Sequence, residues 1–146
     1  FFNRGDKMKQ DFERFENIAY PYIFRSSAAS GASGVLTKEL TAHGYITQVN
    51  IVIPAGDGGK LQLRPYVELP GEIIQELLVY ADGGNSYISG DDVVYKLPCY
   101  QEIENHSILK VAYNNTEADP LADDAQIMVD IIVQYDSYIA PKNVIG

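Results

Sequence analysis

The stretch Gln126-Ile127-Met128-Val129-Asp130-Ile131-Ile132-Val133-Gln134-Tyr135, continuing to Tyr138, decides the fold. Its period is two: Ile127, Val129, Ile131, Val133 and Tyr135 fall on one side, Met128, Asp130, Ile132 and Gln134 on the other. β-Branched residues dominate, and one side is wholly apolar. A run so long and so apolar belongs in the middle of a sheet.

The same period recurs upstream. Strands are expected near Ile108 to Tyr113, Val93 to Leu97 and Ser86 to Ser89, with an acidic loop over Asn114 to Asp124. Leu61, Leu63 and Val67 alternate with Lys60, Gln62, Arg64, Tyr66 and Glu68, and Tyr45, Thr47, Val49, Ile51 and Ile53 share a face. The intervening Pro54-Ala55-Gly56-Asp57-Gly58-Gly59 predicts a turn that joins these two strands as a hairpin. Ile73 to Tyr80 fits a helical turn as well as a strand; its β-branched residues and the following Asp82-Gly83-Gly84-Asn85 favour a strand. Evenly spaced strands with Gly-rich turns and no amphipathic helices between them predict an all-β antiparallel sandwich, of jelly-roll or immunoglobulin-like type. An immunoglobulin domain proper is disfavoured, because Cys99 is the only cysteine and there is no tryptophan.

The sandwich is expected over 35–146, behind two unlike segments. Residues 1–25 read as an aromatic arm that holds all five phenylalanines of the chain. Met8, Phe12, Phe15 and Ile18 recur at helical spacing, so a short helix is predicted from Asp6 to Ile18, and Tyr20-Pro21 ends it. Such a helix is marginal alone and forms where its apolar side is covered. Ser26 to Gly34 contains only Ser, Ala and Gly and reads as a flexible or extended connector. The candidate partner-binding residues of the arm are Phe1, Phe2, Met8, Phe12, Phe15, Tyr20, Tyr22 and Phe24, and the body is expected to build its core without phenylalanine.

The 146 residues carry a net charge of -9, with the arm at +1 and residues 26–146 at -10. An acidic body repels phosphate backbones and anionic lipid, so neither nucleic acid nor membrane is an expected partner. No disulfide can form within the chain, and no apolar run reaches transmembrane length.

No segment carries a catalytic or cofactor motif. Gly56-Asp57-Gly58-Gly59-Lys60 lacks the spacing of a phosphate loop and leads into a strand rather than a helix. The carboxylates Glu117, Asp119, Asp123 and Asp124, and Asp91 with Asp92, lack the order of a calcium loop and read as solvated turns. Cys99 and His106 show nothing that would activate a thiol, His43 reads as a loop residue, and two distant histidines do not make a zinc site. Arg4-Gly5-Asp6 matches an attachment tripeptide, with Asp6 equally placed as a helix N-cap. No enzyme activity, cofactor or metal is therefore expected.

An aromatic arm from Phe1 to Phe24, a Ser/Ala/Gly connector and a disulfide-free acidic sandwich ending in Val129-Asp130-Ile131-Ile132-Val133-Gln134-Tyr135 resemble the layout of auxiliary virion proteins of tailed bacteriophages, such as head-decoration proteins and head-fibre bases. The resemblance implies a non-enzymatic virion protein on a capsid or tail lattice, homo-oligomeric, with the arm reaching neighbouring subunits. The competing expectation is a carbohydrate-binding or adhesin module at a cell surface, using Tyr66, Tyr87, Tyr95 and Tyr100.

Overall fold

The structure, a computed structural model, describes residues 19–78 and 87–136. Phe1, Phe2, Met8, Phe12, Phe15 and the helix expected before Ala19 lie outside the described residues, as does the turn expected at Asp82 to Asn85.

Eight strands follow in order: β1 Ala19–Ala28, β2 Ser33–Glu39, β3 Gly44–Ile53, β4 Leu61–Leu69, β5 Ile73–Glu76, β6 Val93–Ile103, β7 Ile108–Asn115 and β8 Ala125–Tyr135. They form two four-stranded sheets of order β1-β8-β3-β6 and β2-β7-β4-β5, and every pair is antiparallel. The pairings β1 with β8, β2 with β7, β3 with β6 and β4 with β5 are those of one long hairpin. Wrapping that hairpin on itself distributes its strands between the two sheets, and β3–β8 and β4–β7 complete them. This is the eight-stranded jelly roll, and it resolves the sandwich type that the sequence pattern leaves open.

The core is what the alternation dictates. Ile127, Val129, Ile131 and Val133 of β8 are all 0% exposed and face Leu61, Leu63, Val67, Leu109 and Val111 of the second sheet within one cluster. β8 lies between β1 and β3, in the middle of its sheet as expected.

Several expectations are corrected. β3 and β4 do not form a hairpin: they lie in different sheets, and Pro54 to Lys60 crosses between them. The face proposed for β3 slips by one residue. Thr47 is an extra residue against β8, so Ile46 is buried while Tyr45 points outward. A bulge resets the period-two phase, and a uniform pattern cannot register it. Pro98 and Cys99 lie inside β6 rather than at its end; β6 is an edge strand, where a proline costs no ladder bond on its open side.

The largest correction concerns the arm and connector. β1 begins at Ala19 and runs through Ala28, so Tyr20, Tyr22 and Phe24 alternate inward like any strand, and Phe24 is a core residue at 3% exposure. Ser26 to Gly34 is strand, turn and strand. Its small residues serve close packing: a Cβ on Gly34 would lie 2.6 Å from Tyr113 Oη, and Ala28 is 2% exposed. Asn115, itself 2% exposed, fastens the turn: its Nδ2 donates to Ala28 O at 3.0 Å, its backbone N to Ala32 O at 2.9 Å, and its carbonyl accepts from Gly31 N at 3.0 Å.

Candidate functional site

In a sandwich each outer sheet face is expected to be polar, because only the inner face meets the core. The two outer faces of this protein differ. Across β1, β8, β3 and β6, Ala19, Gln134, Tyr45 and Glu102 lie side by side, followed by Pro21, Ile132, Gln48 and Pro98, then Ile23, Asp130, Asn50 and Lys96. Beyond them, Arg25 faces Met128 and Val52 faces Val94. Ile23 is 50% exposed, Val94 57% and Tyr100 76%. Arg25 pairs with Asp130 at 2.7 Å on this surface, and Glu102 of its first row pairs with His43 at 2.6 Å.

The outer face of the second sheet is laced with charge. Arg64 Nε donates to both carboxylate oxygens of Glu76, at 2.8 and 3.1 Å, and its guanidinium lies 4.4 Å from the Tyr66 ring centre. Lys110 Nζ donates to Glu68 at 2.9 Å. Glu76 and Glu68 hold the Arg64 and Lys110 cations in their charged forms more firmly than usual. Val35 and Ile74 are also exposed on this face, at 48% and 44%, while the first face exposes Ile23, Val94 and Tyr100 among polar neighbours that include Asp130, Asn50 and Lys96; exposed apolar side chains of this kind can mark interaction sites.

At one rim of the apolar face, three chain segments meet. His43, just before β3, is bonded on both sides: Nε2 to Glu102 of β6 at 2.6 Å, and Nδ1 to Asp136 after β8. The Asp136 amide also donates to His43 O at 3.2 Å. These contacts, Glu102 first and Asp136 second, raise the imidazole above its usual range, so it carries a proton over more of the neutral region. The His43 ring meets Tyr45 edge-on at 5.6 Å, and Tyr45 stacks on Tyr100 at 4.7 Å and 17°. Sequence reasoning placed His43 in a loop and missed this clamp, since residues 43, 102 and 136 come together only through the sheet order.

Cys99 points inward, its Sγ 3.6 Å from Ile46 O, and burial pushes its thiol up, opposite to what a nucleophile needs. His106 stands in the β6–β7 turn with Nδ1 3.6 Å from Glu39. The glycine turn after β3 already has its anion: Asp91 Oδ1 accepts from Gly56 N and Gly58 N at 2.8 and 3.1 Å, and Asp57 Oδ2 accepts from Leu61 N. A cleft of about 340 Å³ runs beside this turn to Asp123 and Asp124. Glu117 there takes Lys60 Nζ at 2.6 Å and Asp119 N at 3.0 Å, and Asp119 takes Leu121 N, so these carboxylates organise the loop. Among the described residues, no group of three or more His, Cys, Asp or Glu side chains is placed to hold a metal ion.

Of the residues expected to bind a partner, the three described ones are turned into the protein. Tyr20 meets Tyr135 edge-on at 5.4 Å, Tyr22 shares a hydrogen bond with the Tyr135 hydroxyl, and Phe24 is buried. Burial, then the Tyr135 bond, pushes the Tyr22 phenol well above its usual range. The tyrosines of a sugar platform are likewise dispersed. Tyr66 is buried under Arg64 on the second sheet, Tyr95 packs against the core and donates to Ser89 O at 2.8 Å, and Tyr100 lies on the opposite side of β6.

No protein-family model matches the chain, and no curated protein matches it. Among solved structures it is similar to those described as "Structure of infectious bursal disease virus Gt strain", at 14% identity, covering 82% of this chain and 32% of that one with a TM-score of 0.45, and "Structure of infectious bursal disease virus Gx strain", at 15%, 85%, 34% and 0.46. It is similar also to "Crystal structure of infectious bursal disease virus VP2 subviral particle", at 15% identity, 82% and 33% coverage and a TM-score of 0.40. The chain spans about a third of the length of these relatives. The jelly-roll assignment rests on strand order and pairing, which are those of the protein itself.

Proposed function

We propose that the protein is a non-enzymatic structural subunit of a large assembly, a virion, in which the outer face of the β1-β8-β3-β6 sheet is covered by neighbouring protein. The observation that carries this reading is the set of exposed apolar side chains on the outer face of the first sheet, Ile23 at 50%, Val94 at 57% and Tyr100 at 76%, against 48% for Val35 and 44% for Ile74 on the second. Exposed apolar side chains raise the cost of remaining in water, and covering them contributes about 25 cal/mol for each Å² removed from solvent. Jelly rolls also recur in viral shells, an analogy of fold that adds to the prior and assigns no residue. The finer reading is an accessory or decoration protein seated on a capsid lattice, held in addition by the aromatic residues before β1.

The test is incorporation. A double variant, Ile23→Asp with Val94→Asp, is made in cells that supply the full set of assembly partners, and particles are purified by sedimentation. Unfolding in urea should be close to that of the parent, while occupancy in particles should fall at least about tenfold, the factor that corresponds to 1.4 kcal/mol. A variant that folds and still fills the particles would overturn the proposal.

A further inference from the structure

We infer that the open edge of β2 pairs antiparallel with β2 of a second copy of the same chain across a twofold axis, joining two β2-β7-β4-β5 sheets into one. The inference uses a different surface from the docking face above and does not depend on it.

The edges of the two sheets are not alike. An edge strand exposes unpaired backbone groups, and proteins blunt such edges with proline, bulges or shortness. β1 carries Pro21, β6 carries Pro98 and a register shift against β3, and β5 has four residues. β2 has seven residues, no proline and an unbroken register with β7 from Ser33 to Glu39. Asn115 N donates to Ala32 O at 2.9 Å and Leu40 N to Ser107 O at 2.7 Å, so the alternating ladder bonds between them belong to Gly34, Leu36 and Lys38. The N–H and C=O groups of Ser33, Val35, Thr37 and Glu39 therefore point away from β7, to a side where no strand pairs among the described residues. A groove of about 180 Å³ between Ile23 and Phe24 of β1 and Leu36 and Lys38 of β2 leaves this edge accessible.

The sequence of β2 fits itself. With Leu36 on the axis, Ser33 stands opposite the partner's Glu39 and Val35 opposite the partner's Thr37, and each pair occurs twice. This register alone uses all four open residues and forms about eight backbone hydrogen bonds, two for each pair. Val35, 48% exposed, gains a β-branched neighbour, the Ser33 hydroxyl meets a carboxylate, and no like charges stand opposite one another. Lys38 is the one side chain placed to obstruct a partner strand. Its Nζ is drawn over the Phe24 ring at 5.5 Å, and the residue opposite it is Gly34, which has no side chain. The chain thus carries the complement of its own edge. The net charge of -9 on each copy opposes association at long range, so pairing should tighten as salt is raised.

Because such an axis is perpendicular to the sheet, both copies turn the outer face of β1-β8-β3-β6 to the same side. One dimer can therefore meet a single partner surface with two docking faces.

Sedimentation equilibrium of the purified full-length protein tests this. The parent should dimerise, more tightly at higher salt. Val35→Glu with Thr37→Glu sets Glu against Glu across the axis, and Val35→Lys with Thr37→Lys sets Lys against Lys. Each pair of changes should weaken association about 100-fold or more, a factor equal to about 2.7 kcal/mol, while unfolding in urea stays close to that of the parent. An equimolar mixture of the two variants should regain the dimer. Register is read separately: Leu36→Cys in a Cys99→Ser background should give a disulfide-linked dimer under diamide, and Val35→Cys in the same background should not, its Cα being too far from its twin. A parent that never associates would overturn the inference, as would a dimer that survives both charged variants, a mixture that stays monomeric, or a cross-link through Val35→Cys instead of Leu36→Cys. A dimer lost in Ile23→Asp with Val94→Asp would mean pairing through sheet faces and overturn it too. Because particle incorporation is measured separately, the docking face stands or falls on its own result.

Discussion

Adjacent residues on β1 should respond in opposite ways to the same truncation. Phe24 is 3% exposed within the core cluster, whereas Ile23, its neighbour, is 50% exposed on the outer face. Phe24→Ala removes a buried ring and leaves a cavity between β1 and the second sheet; such changes cost about 3 to 5 kcal/mol. A jelly roll of this size is stable by about 5–15 kcal/mol, so the loss is a large share of the total. In a thermal scan it corresponds to a fall of roughly 10–15 °C. Phe24→Leu keeps most of the volume and should cost about 1 kcal/mol, including the contact of Lys38 Nζ 5.5 Å from the ring centre. Ile23→Ala should change stability by no more than about 0.5 kcal/mol. Equilibrium unfolding in urea of the full chain measures all three with a common slope. If Phe24→Ala unfolds within about 1 kcal/mol of the parent, or Ile23→Ala costs as much as Phe24→Ala, β1 does not present these faces and the argument fails.

Other consequences are equally direct. Asn115→Ala orphans the Ala28 carbonyl and the Glu117 amide and should cost about 2–4 kcal/mol; a loss below about 0.5 kcal/mol would show that the Ser/Ala/Gly turn is held some other way. Gly44→Ala places a Cβ 2.5 Å from Gln134 O and 2.8 Å from Tyr135 Cα, backbone that cannot swing aside, so it should destabilise by about 3 kcal/mol; Gly34→Ala meets the movable Tyr113 ring and should cost less in the same assay. Because the folded protein raises the His43 pKa, the clamp stabilises fully below the unfolded value of 6.5 and is lost as pH rises through the folded value. Stability measured from pH 5.5 to 9 should therefore decline across that window in the parent and less in His43→Gln; equal profiles would show that the clamp contributes nothing.

How much of this was legible in the sequence depends on distance along the chain. β8 could be read outright, since Ile127 to Tyr135 alternate without interruption and neighbours in sequence alone define their face. The pairing of β1 with β8 could not: Phe24 meets Val129 across more than a hundred residues. The same alternation that marks β8 is present in Tyr20, Tyr22 and Phe24, but the adjoining small residues resembled a linker, and only the closeness of Gly34 to Tyr113 gives their purpose. Thr47 shows the limit of a period: one bulged residue exchanges inside and outside for half a strand. The apolar outer face was hidden for a related reason. Pro21, Ile132 and Pro98 are ordinary singly and become a surface only in the order β1-β8-β3-β6.

The claim that this face is covered in the assembly is open to one direct measurement, hydroxyl-radical footprinting of native particles against the purified protein. Ile23, Val94 and Tyr100 should lose most of their labelling in particles, while Val35 and Ile74, comparably exposed on the outer face of the second sheet, should keep theirs. Equal labelling of Ile23, Val94 and Tyr100 in both states, or protection confined to Val35 and Ile74, would contradict the account.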